Sequence, residues 1–176
     1  MRKKKFVRET SVTMTELVLP NDTNTLNNLM GGRMMHWMDI VSAISAQRHS
    51  NRIVVTASVD NVSFKEGIKL GNVVMLQAKV TRSFSSSMEV NIQVFAEDIP
   101  SGTRVKTNEA FFTFVAVDQL GNPIDVPEAI PETEEEIKLY DGALRRRQLR
   151  LVLAGRMKAE EATELRSIFY PSESQG

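Results

Sequence analysis

The sequence contains no cysteine among its 176 residues. Disulfide bonds, thiolate metal sites and a cysteine nucleophile are therefore excluded, and this composition fits a reducing, cytoplasmic location. Histidine is scarce as well, since only His36 and His49 are present. Without cysteine and without an HExxH spacing, the sequence predicts no metal site.

The chain also lacks a net charge and a long apolar run. Lys plus Arg number 22 and Asp plus Glu number 22, so no overall field recruits nucleic acid or an anionic membrane. No apolar stretch approaches the roughly 20 residues that cross a bilayer. The basic start at residues 2–5 is followed by alternating residues instead of an apolar signal-peptide core. We expect neither nucleic acid nor a membrane as a partner.

The periodicity of the apolar residues predicts one strand, one long helix and four further strands. Residues 6–19 alternate as a strand does, and residues 33–47 form an unbroken helix that is apolar on nearly every side. Strands are then predicted at residues 52–64, 72–84, 88–97 and 104–117. This order predicts an α+β fold in which an antiparallel sheet wraps around a buried central helix.

Composition changes after Pro127 and Pro131. Glutamates come first and arginines last, which is the polarity that a helix dipole favours, so we predict helices at residues 132–153 and 159–168. The chain is therefore divided into a single domain at residues 6–127 and a C-terminal helical extension at residues 128–176. The arginines at 145–147 either bind phosphate or complement the helix end.

Asp39 is the first candidate for chemistry because it places a carboxylate on an apolar helix. Burial of an unpaired carboxylate is costly, so Asp39 requires hydrogen-bond partners or contact with water in a cleft. In the structural alternative, Asp39 bonds a backbone group or His36, one turn away on the same face. The residues alone leave both interpretations open.

Three other groups are candidates for binding. Asn24 lies in a polar loop, where a turn or capping role is the alternative. Gly31 and Gly32 leave N–H groups open at the helix start, which favours an oxyanion site, although close packing also selects glycine. The serines at 85–87 form either a polar turn or a set of donors for phosphate oxygens.

Seven short motifs follow one another between residues 10 and 127. They are Leu19-Pro20-Asn21-Asp22-Thr23-Asn24, Gly31-Gly32, Met38-Asp39, Val54-Val55-Thr56, Val62-Ser63-Phe64, Asn108-Glu109-Ala110 and Val115-Ala116-Val117-Asp118. In this order and spacing they resemble the cytosolic acyl-CoA hydrolases, a family of hotdog-fold thioesterases. The family often has glycine between the Asn and the Gly pair, where this sequence has Thr25, Leu26, Asn27 and Asn28.

The resemblance implies a hotdog fold and hydrolysis of fatty acyl-CoA to free CoA and a carboxylate. It implies that Asp39 acts as general base or nucleophile, while Asn24 and the helix-start amides near Gly32 position the water or oxyanion. The Asp of one subunit would face the Asn of its partner. A homo-oligomer is thus implied, a dimer at least, with a trimer of dimers as the larger option. No cofactor is implied, since coenzyme A is part of the substrate.

The family also implies where coenzyme A lies, along the sheet edge. The predicted contacts are Gly31, Val55, Thr56, Arg82, Ser85, Ser86 and Ser87. Two other functions are alternatives on this fold. A hydratase or dehydratase would carry an Asp-x-x-x-x-His or His-Phe-Pro-Gly pattern, which is missing here. A non-catalytic acyl-CoA sensor would keep the pocket and lose the chemistry, whereas the presence of both Asp39 and Asn24 favours the enzyme.

Overall fold

The computed structural model describes residues 2–60 and 62–170. The chain forms two compact units, Met1–Ile130 and Pro131–Gly176. The first unit extends past the predicted domain end at residue 127, because residues 128–130 form one of its strands. No helix in the described part of the chain is both long enough and apolar enough to span a bilayer.

A five-stranded antiparallel sheet forms most of the first unit. Its strands are β2 (Val12–Leu17), β3 (Ile53–Asp60), β4 (Val73–Ser83), β5 (Ser87–Asp98) and β6 (Thr103–Val117). The strand order is β2-β4-β5-β6-β3, so β3 lies at one edge of the sheet. The four strands predicted after the helix are confirmed, because alternating side chains such as Val90, Ile92 and Phe112 fill the core.

Helix α1 spans Gly31–Ser50 and contacts β3, β4 and β5. Its sheet-facing side is fully buried at Met38 and Val41. The predicted central helix is confirmed, but its predicted burial holds on one face only in the single chain. Ile40 is 38% exposed and Ile44 is 37% exposed, so an apolar face of α1 is open in this subunit.

The strand predicted at residues 6–19 is interrupted. Strand β1 (Lys4–Phe6) pairs in parallel with β7 (Glu128–Ile130), and a 3-10 helix at Val7–Thr10 separates it from β2. Thr10 explains the interruption. Its hydroxyl donates to the Val7 carbonyl at 2.7 Å and accepts from the Val80 amide at 3.0 Å. The hydroxyl thus takes the place of a backbone carbonyl at the end of the pairing between β2 and β4.

The second unit is helical, as predicted. It contains α2 (Glu134–Leu153) and α3 (Thr163–Phe169). Thr133 and Glu136 form a reciprocal capping box at the start of α2, with both bonds at 3.2 Å. The two helices are joined by a bond of 2.9 Å, in which the Leu165 amide donates to the Gln148 side chain.

Candidate active site

Asp39 and Thr56 meet between helix α1 and the edge strand β3. The Thr56 hydroxyl donates to Asp39 Oδ1 at 2.7 Å. Asp39 is half-buried, and within the described residues no other group bonds its carboxylate, neither a backbone amide nor His36. One carboxylate oxygen is thus held in place while Oδ2 is left open, an arrangement that can accept a proton from water.

Regular alternation along the first half of β3 places Thr56 on the face that contacts α1. A bulge interrupts the pairing of β3 with β6 directly after it, between Thr56 and Ser58. Since successive side chains of a strand alternate between faces, Val55 points away from Asp39. The two neighbouring residues predicted to contact coenzyme A therefore lie on opposite faces.

The start of α1, about two turns before Asp39 on the same helix, is a second part of the candidate site. Met30 occupies the N-cap position and supplies no side-chain bond to the first helical amides. A Cβ added at Gly32 would meet no atom within 4 Å, whereas a Cβ at Gly31 would contact the Phe64 ring at 3.4 Å. The glycine pair therefore leaves free space above Gly32, where unpaired N–H groups can stabilise a negative charge.

Asn24 uses only half of its side-chain amide inside its own loop. Its Oδ1 accepts from the amides of Leu26, at 2.9 Å, and Asn28, at 3.2 Å. Because both partners are donors, the oxygen must face the loop, and Nδ2 is left to donate elsewhere. The turn role and the donor role are thus compatible. Asn27, in the stretch where the family often has glycine, has a left-handed φ of 57°.

An ion pair that the sequence analysis missed ties this loop to α1. Asp22 Oδ1 lies 3.1 Å from Arg33 Nε, and Asp22 Oδ2 accepts from the Leu19 amide at 3.0 Å. The Asp22 carbonyl also accepts from the Met30 amide at 2.9 Å. The signal was present in the sequence, as a charged residue directly after the glycine pair. The Asn24 loop is therefore fixed relative to the first turn of the helix.

The other predicted CoA contacts do not join Asp39. Ser87 on β5 and Val55 on β3 both pair with Val115 of β6, the strand between them. Two strand spacings, or about 10 Å, therefore separate Ser87 from Val55. The Ser85 and Ser86 carbonyls accept the amides of residues 126 and 116, at 3.0 and 2.8 Å, and so close the end of the sheet. Arg82 pairs with β5 next to a bulge in β4.

The two histidines have separate surroundings. His36 is exposed on α1, while His49 is buried at the far end of that helix and bonds the Pro127 carbonyl through Nε2 at 2.8 Å. Across residues 2–60 and 62–170, no group of three or more His, Asp or Glu side chains is arranged to hold a metal ion.

Comparison with known sequences identifies the family. Residues 26–103 match the model of the Thioesterase superfamily. The chain is 44% identical over 142 residues to an uncharacterised acyl-CoA thioester hydrolase of Bacillus subtilis, YkhA, a match that covers 81% of this chain and 83% of the relative. It is 42% identical over 149 residues to acyl-coenzyme A thioesterase 11 of Mus musculus, covering 85% of this chain and 25% of that longer protein.

Solved structures agree in fold. An apo-hexameric acyl-CoA thioesterase superposes with a TM-score of 0.84 at 39% identity, covering 86% of this chain and 97% of that one. The Staphylococcus aureus acyl-CoA hydrolase, in complex with butyryl coenzyme A, coenzyme A and its disulfide, superposes with a TM-score of 0.79 at 33% identity, covering 97% and 99%. The chain therefore belongs to the thioesterase superfamily, as a hotdog-fold acyl-CoA thioester hydrolase.

Proposed function

We propose that this protein hydrolyses fatty acyl-CoA to free CoA and a carboxylate, with Asp39 as the general base. The observation that carries the proposal is the half-buried Asp39 carboxylate, which is oriented by Thr56 and leaves one oxygen open. The relatives in Bacillus subtilis and Mus musculus bear the names of acyl-CoA hydrolases, which supports the same substrate here.

The proposed reaction needs only water and the side chains of the protein. Asp39 Oδ2 takes a proton from a water molecule whose oxygen attacks the thioester carbonyl carbon. The carbon–sulfur bond of the tetrahedral intermediate then breaks, and the proton held by Asp39 passes to the leaving thiolate to give CoA. We prefer this route to direct attack by Asp39, because the Thr56 bond occupies one oxygen of the carboxylate.

Two sets of donors are suited to the oxyanion of the intermediate. The amides at the start of α1 have no side-chain cap, and the space beside Gly32 on the Cβ side is open. The free Nδ2 of Asn24 is the second donor, since its Oδ1 is engaged within the loop. Preorganised N–H groups of this kind stabilise developing negative charge without reorganisation.

The spacing of substituted residues in a relative supports the choice of Asn24, Asp39 and Thr56. Solved variants of the Staphylococcus aureus acyl-CoA hydrolase replace an Asn, an Asp and a Thr by alanine, and these positions are 15 and 17 residues apart. The three residues of this chain have the same separations. The relative with the Asn replaced is a complex with coenzyme A. We therefore propose that all three residues belong to one site. In it, Thr56 positions the Asp39 carboxylate instead of contacting CoA.

We further propose that the site is completed by a second subunit. The outer edge of β3 pairs with no strand of the described chain, and Ile53 and Val55 on it are 58% and 49% exposed. An open apolar edge favours pairing with another strand. Pairing of β3 with its copy would also cover Ile40 and Ile44 on α1. In this dimer, Asn24 of one subunit serves Asp39 of the other, as the family resemblance implies.

The relatives also support a proposal for the higher assembly and the location. The apo-hexameric acyl-CoA thioesterase and a hexameric thioesterase of Yersinia pestis, the latter at 38% identity and a TM-score of 0.62, support a trimer of such dimers here. A rat relative, 36% identical over 130 residues, is named a cytosolic acyl coenzyme A thioester hydrolase, which supports a cytoplasmic location. No cofactor besides the substrate is required by the proposed chemistry.

A thiol-trapping assay tests the proposal. Purified protein is incubated with acyl-CoA of increasing chain length, and free CoA is followed by its reaction with a chromogenic disulfide. We expect CoA release with at least one chain length, and the series defines the preferred length. Binding of acyl-CoA without release at any length would contradict hydrolysis and favour the acyl-CoA sensor.

A further inference from the structure

A basic pocket lies at the opposite end of α1 from the glycine pair. Its volume is about 620 Å³, within the size range of ligand sites, and Arg2, Lys3 and Arg52 line it together with Asn51 and one acid, Asp125. Positive side chains outnumber negative ones in its lining. The chain as a whole has no net charge, so this concentration of cations is a local feature.

The two arginines differ in how they are held. Arg2 donates from Nε to the Val126 carbonyl at 2.5 Å and from Nη2 to the Ser85 carbonyl at 3.2 Å, which fixes the guanidinium without neutralising its charge. The Arg52 side chain has no hydrogen bond or ion pair with any residue in ranges 2–60 and 62–170. Its backbone is anchored by a bond of 3.2 Å from its amide to Ser50 Oγ. The Arg2 guanidinium is therefore held in a fixed orientation, and the Arg52 guanidinium is available to bind a ligand.

Lys5 offsets the partial negative charge at the C-terminal end of α1, so that this end does not repel an anion in the pocket. Lys5 Nζ donates to the carbonyls of Arg48, at 2.5 Å, and His49, at 3.4 Å, which lie in the last turn of the helix. Lys5 also donates to Asn51 Oδ1 at 2.9 Å, so the Asn51 amide group is left to donate. The pKa of His49 is lowered mainly by its burial and further by the positive charges of Lys5 and Arg2.

We propose that this pocket binds the phosphate groups of the coenzyme A portion of the substrate, with Arg2 and Arg52 as charged partners. A guanidinium presents paired N–H groups that match phosphate oxygens. Asn51, the residue that caps the end of α1, lies 12 residues beyond Asp39, or about 18 Å at 1.5 Å per residue. The extended pantetheine arm separates the thioester from the phosphates by a comparable length. The inference rests on the proposed function, whose site it extends.

The test compares ligands with and without phosphate. The intact protein is titrated calorimetrically with coenzyme A, with adenosine 3′,5′-bisphosphate and with pantetheine, which lacks the nucleotide. Wild type, Arg52→Gln and the matched control Arg104→Gln are compared. Arg104 is an exposed arginine on β6 whose guanidinium lies over the Phe95 ring at 4.8 Å. Arg52 is exposed, so its replacement should leave the fold intact.

We expect Arg52→Gln to lower the affinity for coenzyme A and for the bisphosphate by about tenfold, the effect of one lost charge-assisted bond. The affinity for pantetheine should not change. The KM for acyl-CoA should rise by a similar factor, whereas that for acyl-pantetheine should not. Arg104→Gln should match wild type throughout. The inference is overturned if wild type does not bind the bisphosphate, or if Arg52→Gln affects coenzyme A and pantetheine equally.

The binding readout separates this inference from the proposed function. If Arg52→Gln weakens coenzyme A binding selectively while wild type releases no CoA from any thioester, the phosphate pocket stands and the hydrolysis fails. If wild type hydrolyses acyl-CoA and Arg52→Gln has the same KM for acyl-CoA and the same affinity for coenzyme A as wild type, the hydrolysis stands and the pocket assignment fails.

Discussion

Thr56 Oγ1 donates a hydrogen bond of 2.7 Å to Asp39 Oδ1, and this contact joins the edge strand of the sheet to the central helix. It fixes the orientation of the one carboxylate that lies among the apolar residues of the helix. The same contact places Asp39 beside the sheet edge that we assign to the dimer interface. Orientation of the base and assembly of the protein are thus linked through β3.

The Thr56 hydroxyl should therefore contribute to turnover more than to binding. We expect Thr56→Val to lower kcat by about tenfold to a hundredfold, because a hydrogen bond to a charged group contributes roughly 1.5–3 kcal/mol. Thr56→Ser keeps the hydroxyl and should recover most of the rate. Steady-state kinetics with a single acyl-CoA measure both variants. A Val variant as fast as wild type, together with a slower Ser variant, would show that the methyl packing, not the hydroxyl, matters.

The two halves of the Asn24 amide can be separated by substitution. Asn24→Asp keeps an oxygen for the amides of Leu26 and Asn28 but removes the Nδ2 donor. We expect its kcat to fall by about 10² to 10³, with a melting temperature within about 2 °C of wild type. Asn24→Ala should lower both. Thermal unfolding followed by circular dichroism supplies the second readout, and an active Asn24→Asp variant would exclude the donor role.

Mixed oligomers test whether the site is shared between subunits. A hybrid dimer of Asp39→Asn and Asn24→Ala subunits contains one site with both residues intact if Asp39 and Asn24 come from different chains. Random remixing of two inactive variants should then restore about a quarter of wild-type activity, since half the dimers are hybrids with one working site. If both residues act within one subunit, remixing restores no activity.

The long helix and the long strands could be predicted from the sequence because they depend on the pattern of neighbouring residues. Alternation in residues 72–84 and 104–117 reports which side of a strand is buried, and each of these runs is a strand in the structure. Strand β7 was not predicted, since three residues after a proline carry no periodic signal and pair with β1 across the whole chain. The break at Thr10 likewise depends on a distant amide, that of Val80.

The sequence singles out candidate site residues by their type but does not give the contacts between them. Asp39 was chosen as a carboxylate on an apolar helix, and the structure shows it half-buried and accessible. Its bond to Thr56 joins a helix to a strand 17 residues further along the chain, and no local pattern predicts that contact. The partnership of Asp22 with Arg33 was missed because it becomes evident only when the loop folds onto the helix.

His49 predicts how stability depends on pH. Burial lowers its pKa below the ordinary 6.5, so the unfolded chain binds a proton that the folded chain resists. Stability should be fully present above about pH 6.5 and should fall on acidification toward the folded-state pKa, by at most about 1.4 kcal/mol per pH unit. Urea unfolding at pH 7.5 and 5.5 measures this difference.

Two variants isolate the contribution of His49 from that of the carboxylates. His49→Gln should show a smaller loss of stability between the two pH values than wild type. His36→Gln should behave as wild type, because His36 is the other histidine of the chain and is exposed. A loss in His49→Gln as large as that in wild type would show that other groups carry the pH dependence.

The most direct measurement is the rate of CoA release by Asp39→Asn, which keeps the shape of the side chain and an acceptor for Thr56. We expect kcat to fall by about 10² to 10⁴ while the protein stays folded and still binds acyl-CoA. The matched variant Asp98→Asn, on β5 at the hairpin turn, should retain the wild-type rate. Wild-type turnover by Asp39→Asn would contradict the assignment of Asp39 as the base.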